Sequence, residues 1–169
     1  MEIETERLRL RRFHADLSDV PAMSAVLGDP VSMRFYPRPF DDNAVTEWIG
    51  RWLRSYELDG LGLLAIEDRA TGDLVGDAGP SVQEVEGERF VELGWHVRRD
   101  RQGRGIATEA GGACLEHLRI ARPDLERVIS LIRPENVPSW RVARRLGFRP
   151  WRGTVRAGMA HVVWSTPPA

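Results

Sequence analysis

The sequence contains no lysine; all 24 of its basic residues are arginine. Codon bias accounts for that without any functional demand. The absence still removes two chemistries, the P-loop lysine and the Schiff-base amine. A lone cysteine, Cys114, excludes an intramolecular disulfide. No apolar run approaches the length of a membrane span, so no membrane association is expected. The opening MEIETERLRLRR lacks the apolar core of a signal peptide, and the cytoplasm is the expected compartment. A net charge of −1 argues against general nucleic-acid binding, which needs a basic surface to displace counterions. The four histidines show no metal-ligand spacing, so no metal is expected.

What is present suits a globular chain. Its 169 residues, 42% hydrophobic and 29% charged, suffice for one domain over 1–169 with a proper core. RLRLRRF (7–13) alternates Leu8 and Leu10 with arginines, as a half-buried strand does. DLSDVPAMSAVLGDP (16–30) reads as a short helix closed by Gly28 and Pro30. DDNAVTEWIGRWLRSYELDG (41–60) is a longer helix, with Val45, Trp48, Ile49, Trp52, Leu53 and Tyr56 at three- and four-residue steps. Three strands follow: GLLAIEDR (62–69), LVGDAGPSV (74–82) and RFVELGWHVRR (89–99). A helix over 106–121 leads to the apolar strand RVISLIR (127–133). A further helix starts near Asn136 and is closed by Gly147. WRGTVRAGMAHVVWS (151–165) looks like a hairpin turning at Ala157-Gly158. The order β-α-α-β-β-β-α-β-α-β-β predicts an α/β fold with a mixed, mostly antiparallel sheet of about seven strands and helices on both faces.

Between the third of those strands and the 106–121 helix stands DRQGRGIATEA (100–110). Glycines at alternate positions let backbone N–H groups turn inward, and the helix behind adds its unpaired first-turn N–H groups. Such a nest binds phosphate, with Arg101 and Arg104 placed to add charge at its rim. A simple glycine turn from strand to helix fits the same residues. A dinucleotide fingerprint fails, because Thr108 stands where the third small residue belongs and no leading strand–helix unit precedes the loop.

The stretch Gln102-x-x-Gly105-x-Ala107, preceded by VELGWHV and followed by TEA, resembles the acetyl-CoA loop of the GNAT N-acetyltransferase superfamily. More narrowly it is similar to the RimJ/RimL branch, which acetylates N-terminal amines of ribosomal proteins. ETERLRLRRF, DPVSMRFYP and RPENVPSWRVARRLGFR resemble three further segments of that branch, so the likeness spans positions 4 to 149. It implies a GNAT-like fold, acetyl-CoA as co-substrate and a primary amine as acceptor, in a monomer or homodimer. It also implies that the backbone of Trp95, His96 and Val97 pairs with the pantetheine arm as another strand would. The N–H groups of Gln102, Gly103, Arg104, Gly105, Ile106 and Ala107 would hold the pyrophosphate, with Asn136 and Ser139 near the thiol. An N-cap role suits Asn136 equally.

Acetyl transfer to an amine needs a proton acceptor, a polarised thioester carbonyl and help for the leaving thiolate. Glu92 is the candidate base. Strand parity puts Glu92, Gly94 and His96 on one face, so either Glu92 or His96 can take the proton. An ion pair between Glu92 and a neighbouring arginine is the structural alternative. Many GNAT enzymes carry a tyrosine seven residues after the helix-start Asn; here that position is Ala143. Ser139 is left to hydrogen-bond the sulfur, Tyr36 and Tyr56 are placed in the front helices, and the acid is unassigned. Tyr36, Trp48, Trp52 and Trp164 are the expected walls of the acceptor site, and Cys114 is expected in the core. The missing tyrosine keeps a different class open, a non-catalytic acyl-CoA-binding or sensor module.

Overall fold

The computed structural model describes residues 2–167. Its opening alternation makes two strands where one was expected: β1 (Ile3–Glu4) turns back on β2 (Leu8–Arg11). Leu8 and Leu10 point into the core, while Arg9 faces solvent. Helices α1 (Val20–Leu27) and α2 (Asp42–Leu58) follow. Asp41 caps α2 by accepting from Ala44 N–H at 2.9 Å, and Val45, Ile49, Trp52 and Tyr56 form its buried stripe. Tyr56 donates its hydroxyl to the Leu63 carbonyl, which pins α2 to the start of β3 (Leu64–Asp68).

Strands β3, β4 (Leu74–Val85) and β5 (Glu88–Val97) form an antiparallel meander. The chain continues through α3 (Ile106–Ala121), β6 (Val128–Ile132), α4 (Val137–Arg145), β7 (Arg149–Arg156) and β8 (Met159–Ser165). Ala157 and Gly158, both at positive φ, make the two-residue turn between the last two strands. The sheet has eight strands in the order β1-β2-β3-β4-β5-β6-β8-β7 and is antiparallel except for β5 against β6. The strand beyond the expected seven is the two-residue β1 at the edge.

Helices cover both faces. The Trp48 indole of α2 meets Asp77 and His96 on one face. On the other, α3 brings Gly111 against Leu93 and Leu146, where the missing side chain admits Leu146 to 2.9 Å of the Cβ position.

Two features of pairing shape the site. The β4–β5 register runs unbroken from Gly76 opposite Val97 to Val85 opposite Glu88, so parity along β5 holds. By contrast, β5 and β6 pair only at Val91–Val128 and Glu92–Ile129, and then diverge. Beyond Glu92 one edge of β5 faces no strand among the described residues. Parallel strands that splay in this way leave main-chain groups that water or a ligand must satisfy.

Candidate active site

The splay opens two adjoining clefts. The first, of about 400 Å³, runs from Trp95, His96 and Val97 along the 102–108 loop to the α4 residues Ser139, Arg141 and Arg145. Gly103 and Gly105 sit at φ of +75° and +80°, the left-handed region where a side chain is strained. A Cβ at Gly103 would meet nothing within 4 Å, and at Gly105 only the tip of Arg7. The loop is thus open-floored, and the N-terminus of α3 stands directly behind it. Gln102 donates its amide to the Val97 carbonyl at 2.9 Å and to the Ser32 hydroxyl at 3.1 Å, which ties the loop to the end of β5.

The rim charges differ from those expected. Arg101 donates to Asp68 and Asp73 at 3.0 Å each, so its charge is already matched. The Arg104 side chain is exposed and does not line the cleft; its carbonyl accepts from Arg7 at 3.0 Å. In their place Arg141 and Arg145, one turn apart on α4, line the cleft, with no ion pair among the described residues. Their four-residue spacing within a helix was the sequence signal for them.

The second cleft, of about 500 Å³, lies on the α2 side of the divergence. Glu92 and His96 line it together, as strand parity requires. Among the described residues Glu92 makes no ion pair with an arginine. Its Oε1 accepts from the Leu131 N–H at 3.1 Å, so the carboxylate caps β6 where ladder pairing stops. Burial pushes the Glu92 carboxyl above its ordinary range, against the lowering influence of that N–H and of Arg156 and His96.

His96 stands between two partners. Its Nδ1 lies 2.7 Å from Asp77 Oδ1 and its Nε2 lies 2.6 Å from the Tyr36 hydroxyl. A carboxylate only accepts, so the neutral ring's proton sits on Nδ1 and Nε2 accepts from Tyr36. Asp77 is 0% exposed, and its second oxygen accepts from the Trp48 indole at 2.9 Å. Cross-strand register makes the contact, since Asp77 lies directly opposite His96. Tyr36 as a whole is 39% exposed, but desolvation of its hydroxyl against His96, reinforced by the Glu92 and Asp77 charges, holds the phenol above its usual value, so it stays protonated.

Several expectations change. Tyr36 lies in the irregular segment after α1, not in a helix, and reaches His96 from there. Trp164 is 5% exposed and packs beside Trp140 in the core, so it leaves the acceptor wall. Trp48 and Trp52 line the second cleft, the latter mostly buried. Asn136 caps α4 by accepting from Ser139 N–H at 3.2 Å, and both residues line both clefts. Ala143 is fully buried and cannot carry acid chemistry, and Cys114 is buried with its thiol pushed up to about 12 by desolvation. Asp77 went unremarked in the sequence because its role exists only through pairing. Among the described residues no group of three or more His, Cys, Asp and Glu gathers in metal-binding geometry, and no helix is long and apolar enough to cross a membrane.

Six residues line both clefts: Phe35, Tyr36, Trp95, His96, Asn136 and Ser139. A donor held in one cleft and an acceptor in the other would therefore meet beside His96. The sequence from 7 to 149 matches the Acetyltransferase (GNAT) domain family. The chain belongs to this family. It is an acetyl-CoA-dependent N-acetyltransferase. The uncharacterized Bacillus subtilis protein YkkB is 30% identical over 168 residues, 99% of this acetyltransferase and 92% of YkkB. The uncharacterized N-acetyltransferase YnaD, also of B. subtilis, is 29% identical over 88% of this chain and 83% of its own. Among solved structures, a GNAT-family acetyltransferase from Bordetella pertussis superposes with a TM-score of 0.82 at 25% identity, covering 98% and 99% of the two chains. Mycobacterium smegmatis RimJ, in complex with CoA-disulfide, gives 0.68 at 26% identity over 94% of this chain and 80% of its own.

Proposed function

We propose that this acetyltransferase works by direct attack of a primary amine within a ternary complex, with no acyl-enzyme stage. The observation that carries the reading is the meeting of the two clefts at Tyr36, His96, Asn136 and Ser139. The first cleft is read as the acetyl-CoA site and the second as the acceptor site, with the amine drawn from a protein N-terminus or a small molecule. Gln102, Gly103, Gly105, Ile106 and Ala107 would hold the pyrophosphate, and the free edge of β5 at Trp95–Val97 the pantetheine arm. Acetyl-CoA supplies the thioester whose C–S bond breaks.

The remaining steps belong to the chain. Glu92 lines the acceptor cleft and not the first, and has a raised affinity for protons, so it takes the first proton from the incoming ammonium. As the C–N bond forms, the nitrogen's second proton passes through the Tyr36 hydroxyl to His96 Nε2, where Asp77 stabilises the imidazolium. The same path returns that proton to the departing sulfur, so Tyr36 never becomes phenolate. Ser139 stands beside the path as a hydrogen-bonding group.

Initial rates measured against both substrates test the ternary complex. Intersecting double-reciprocal lines are expected, and parallel lines would contradict direct attack. Asp77→Asn tests the relay: kcat should fall roughly 100-fold, in the range of general acid–base catalysis, while acetyl-CoA affinity by calorimetry stays within twofold. An unchanged kcat would remove the relay.

A further inference from the structure

The acceptor cleft is lined by three arginines, Arg51, Arg133 and Arg156, against one carboxylate, Glu92. Neutral groups anchor most of this positive charge. Arg156 donates to the Gln83 amide oxygen at 2.6 Å. Arg133 lies 2.8 Å from the Met159 thioether sulfur, and its Nε is buried with no hydrogen-bond partner among the described residues. Arg51 stacks over the Trp48 ring at 5.4 Å. Among the described residues the single acidic contact in the set is Glu135, 3.3 Å from Arg133, but its side chain is 61% exposed and such a pair screens little. The Arg133 side chain is 23% exposed, so its outer guanidinium atoms, not the buried Nε, are the ones a ligand would meet.

Position adds to charge. Leu131 is where Glu92 touches β6, and Arg133 stands two residues further along, about 7 Å away at strand rise. Arg133 follows the last residue of β6, and with Glu92 and Arg156 it lines the same cleft. An acceptor with its nitrogen at Glu92 and an anionic group several ångströms away would bridge the two. A polyamine or aminoglycoside would instead bring further cations against the same arginines, which electrostatic complementarity disfavours.

Resting on the transferase reading above, we infer that the acceptor is a primary amine whose carrier bears a carboxylate, bound by Arg133 and Arg156. The carboxylate belongs either to a free acidic amino acid or to the first residues of an acidic peptide. Both present the same chemistry to the cleft.

The test is thiol release from acetyl-CoA with matched acceptors: glutamate, its diamide (glutamine with the α-carboxylate also amidated), C-terminally amidated peptides beginning with acidic residues or with their side-chain amides, and spermidine. The inference expects at least one acidic acceptor to exceed its amide partner in kcat/KM by roughly 10- to 100-fold, the scale of a charged hydrogen bond. Which of the two wins distinguishes the source. That preference should collapse in Arg133→Gln with Arg156→Gln, while calorimetric acetyl-CoA affinity is unchanged. In the wild type, independently of any variant, kcat/KM for the acidic acceptor should fall with added salt. Equal rates for acid and amide, a preference for spermidine, or a preference surviving in the double variant would each overturn the inference and leave the transferase standing. Silence toward every amine, with acetyl-CoA still bound, would overturn both.

Discussion

Glu92 serves two purposes that pull against each other. It caps the Leu131 N–H at the divergence of β5 and β6, and it does so from a site that disfavours its charge. A carboxyl whose folded pKa is raised contributes its full stability below the ordinary value of 4.5, and that contribution is lost as pH rises through the folded value. Glu92→Gln is neutral at all pH and keeps an oxygen for Leu131. Its melting temperature should therefore exceed that of the wild type at pH 7–8, with the difference closing near pH 4, as thermal unfolding across that range will measure. Activity should move the other way, with kcat falling roughly 100-fold. A variant that loses both stability and turnover would mark Glu92 as a structural cap only.

At the scale of elements, the glycine loop before α3 is held from outside by the chain's opening segment. Glu109, in the first turn of α3, accepts from the Thr5 hydroxyl at 2.6 Å, the Arg7 N–H at 3.1 Å and the Arg7 Nε at 2.6 Å. Arg7 also donates to the Arg104 carbonyl inside the loop. Burial alone would raise the Glu109 carboxyl, but the Thr5 and Arg7 bonds outweigh it and hold it below the ordinary range. Its stabilisation is present above pH 4.5 and is lost as pH falls through the lowered value. Glu109→Gln should cost about 1–2 kcal/mol at pH 7 by denaturant unfolding, a range reduced for the half-exposed Arg7. It should also weaken acetyl-CoA binding severalfold, because the loop loses its brace. Stability equal to the wild type at pH 7 would show the contact to be idle.

For the whole molecule, binding and folding are linked, since a ligand that needs the assembled cleft binds only the native state. Acetyl-CoA at about 100 times its Kd should stabilise the fold by about 2.7 kcal/mol. For a chain of this size that is a rise in Tm of about 5–10 °C. Gly105→Glu should fold, with a lower starting Tm because its φ of +80° strains a side chain, yet show no such rise, because it places a carboxylate in the cleft at the N-terminus of α3. A normal rise in that variant would move the cofactor site elsewhere.

What the sequence alone determined lies within single elements. Apolar steps in α2, the glycines before α3, the Asn136 cap and the alternation of Glu92 with His96 are all set by spacings of a few residues. Local geometry fixes such spacings whatever the rest of the chain does. The tertiary structure decided what meets across elements. Strand pairing put Asp77 beneath His96, an irregular segment delivered Tyr36 to its other nitrogen, and the core claimed Trp164. Placing β8 between β6 and β7 brought Arg133 and Arg156 to one cleft. No local period encodes those meetings, because they depend on sheet order and on where two strands stop pairing.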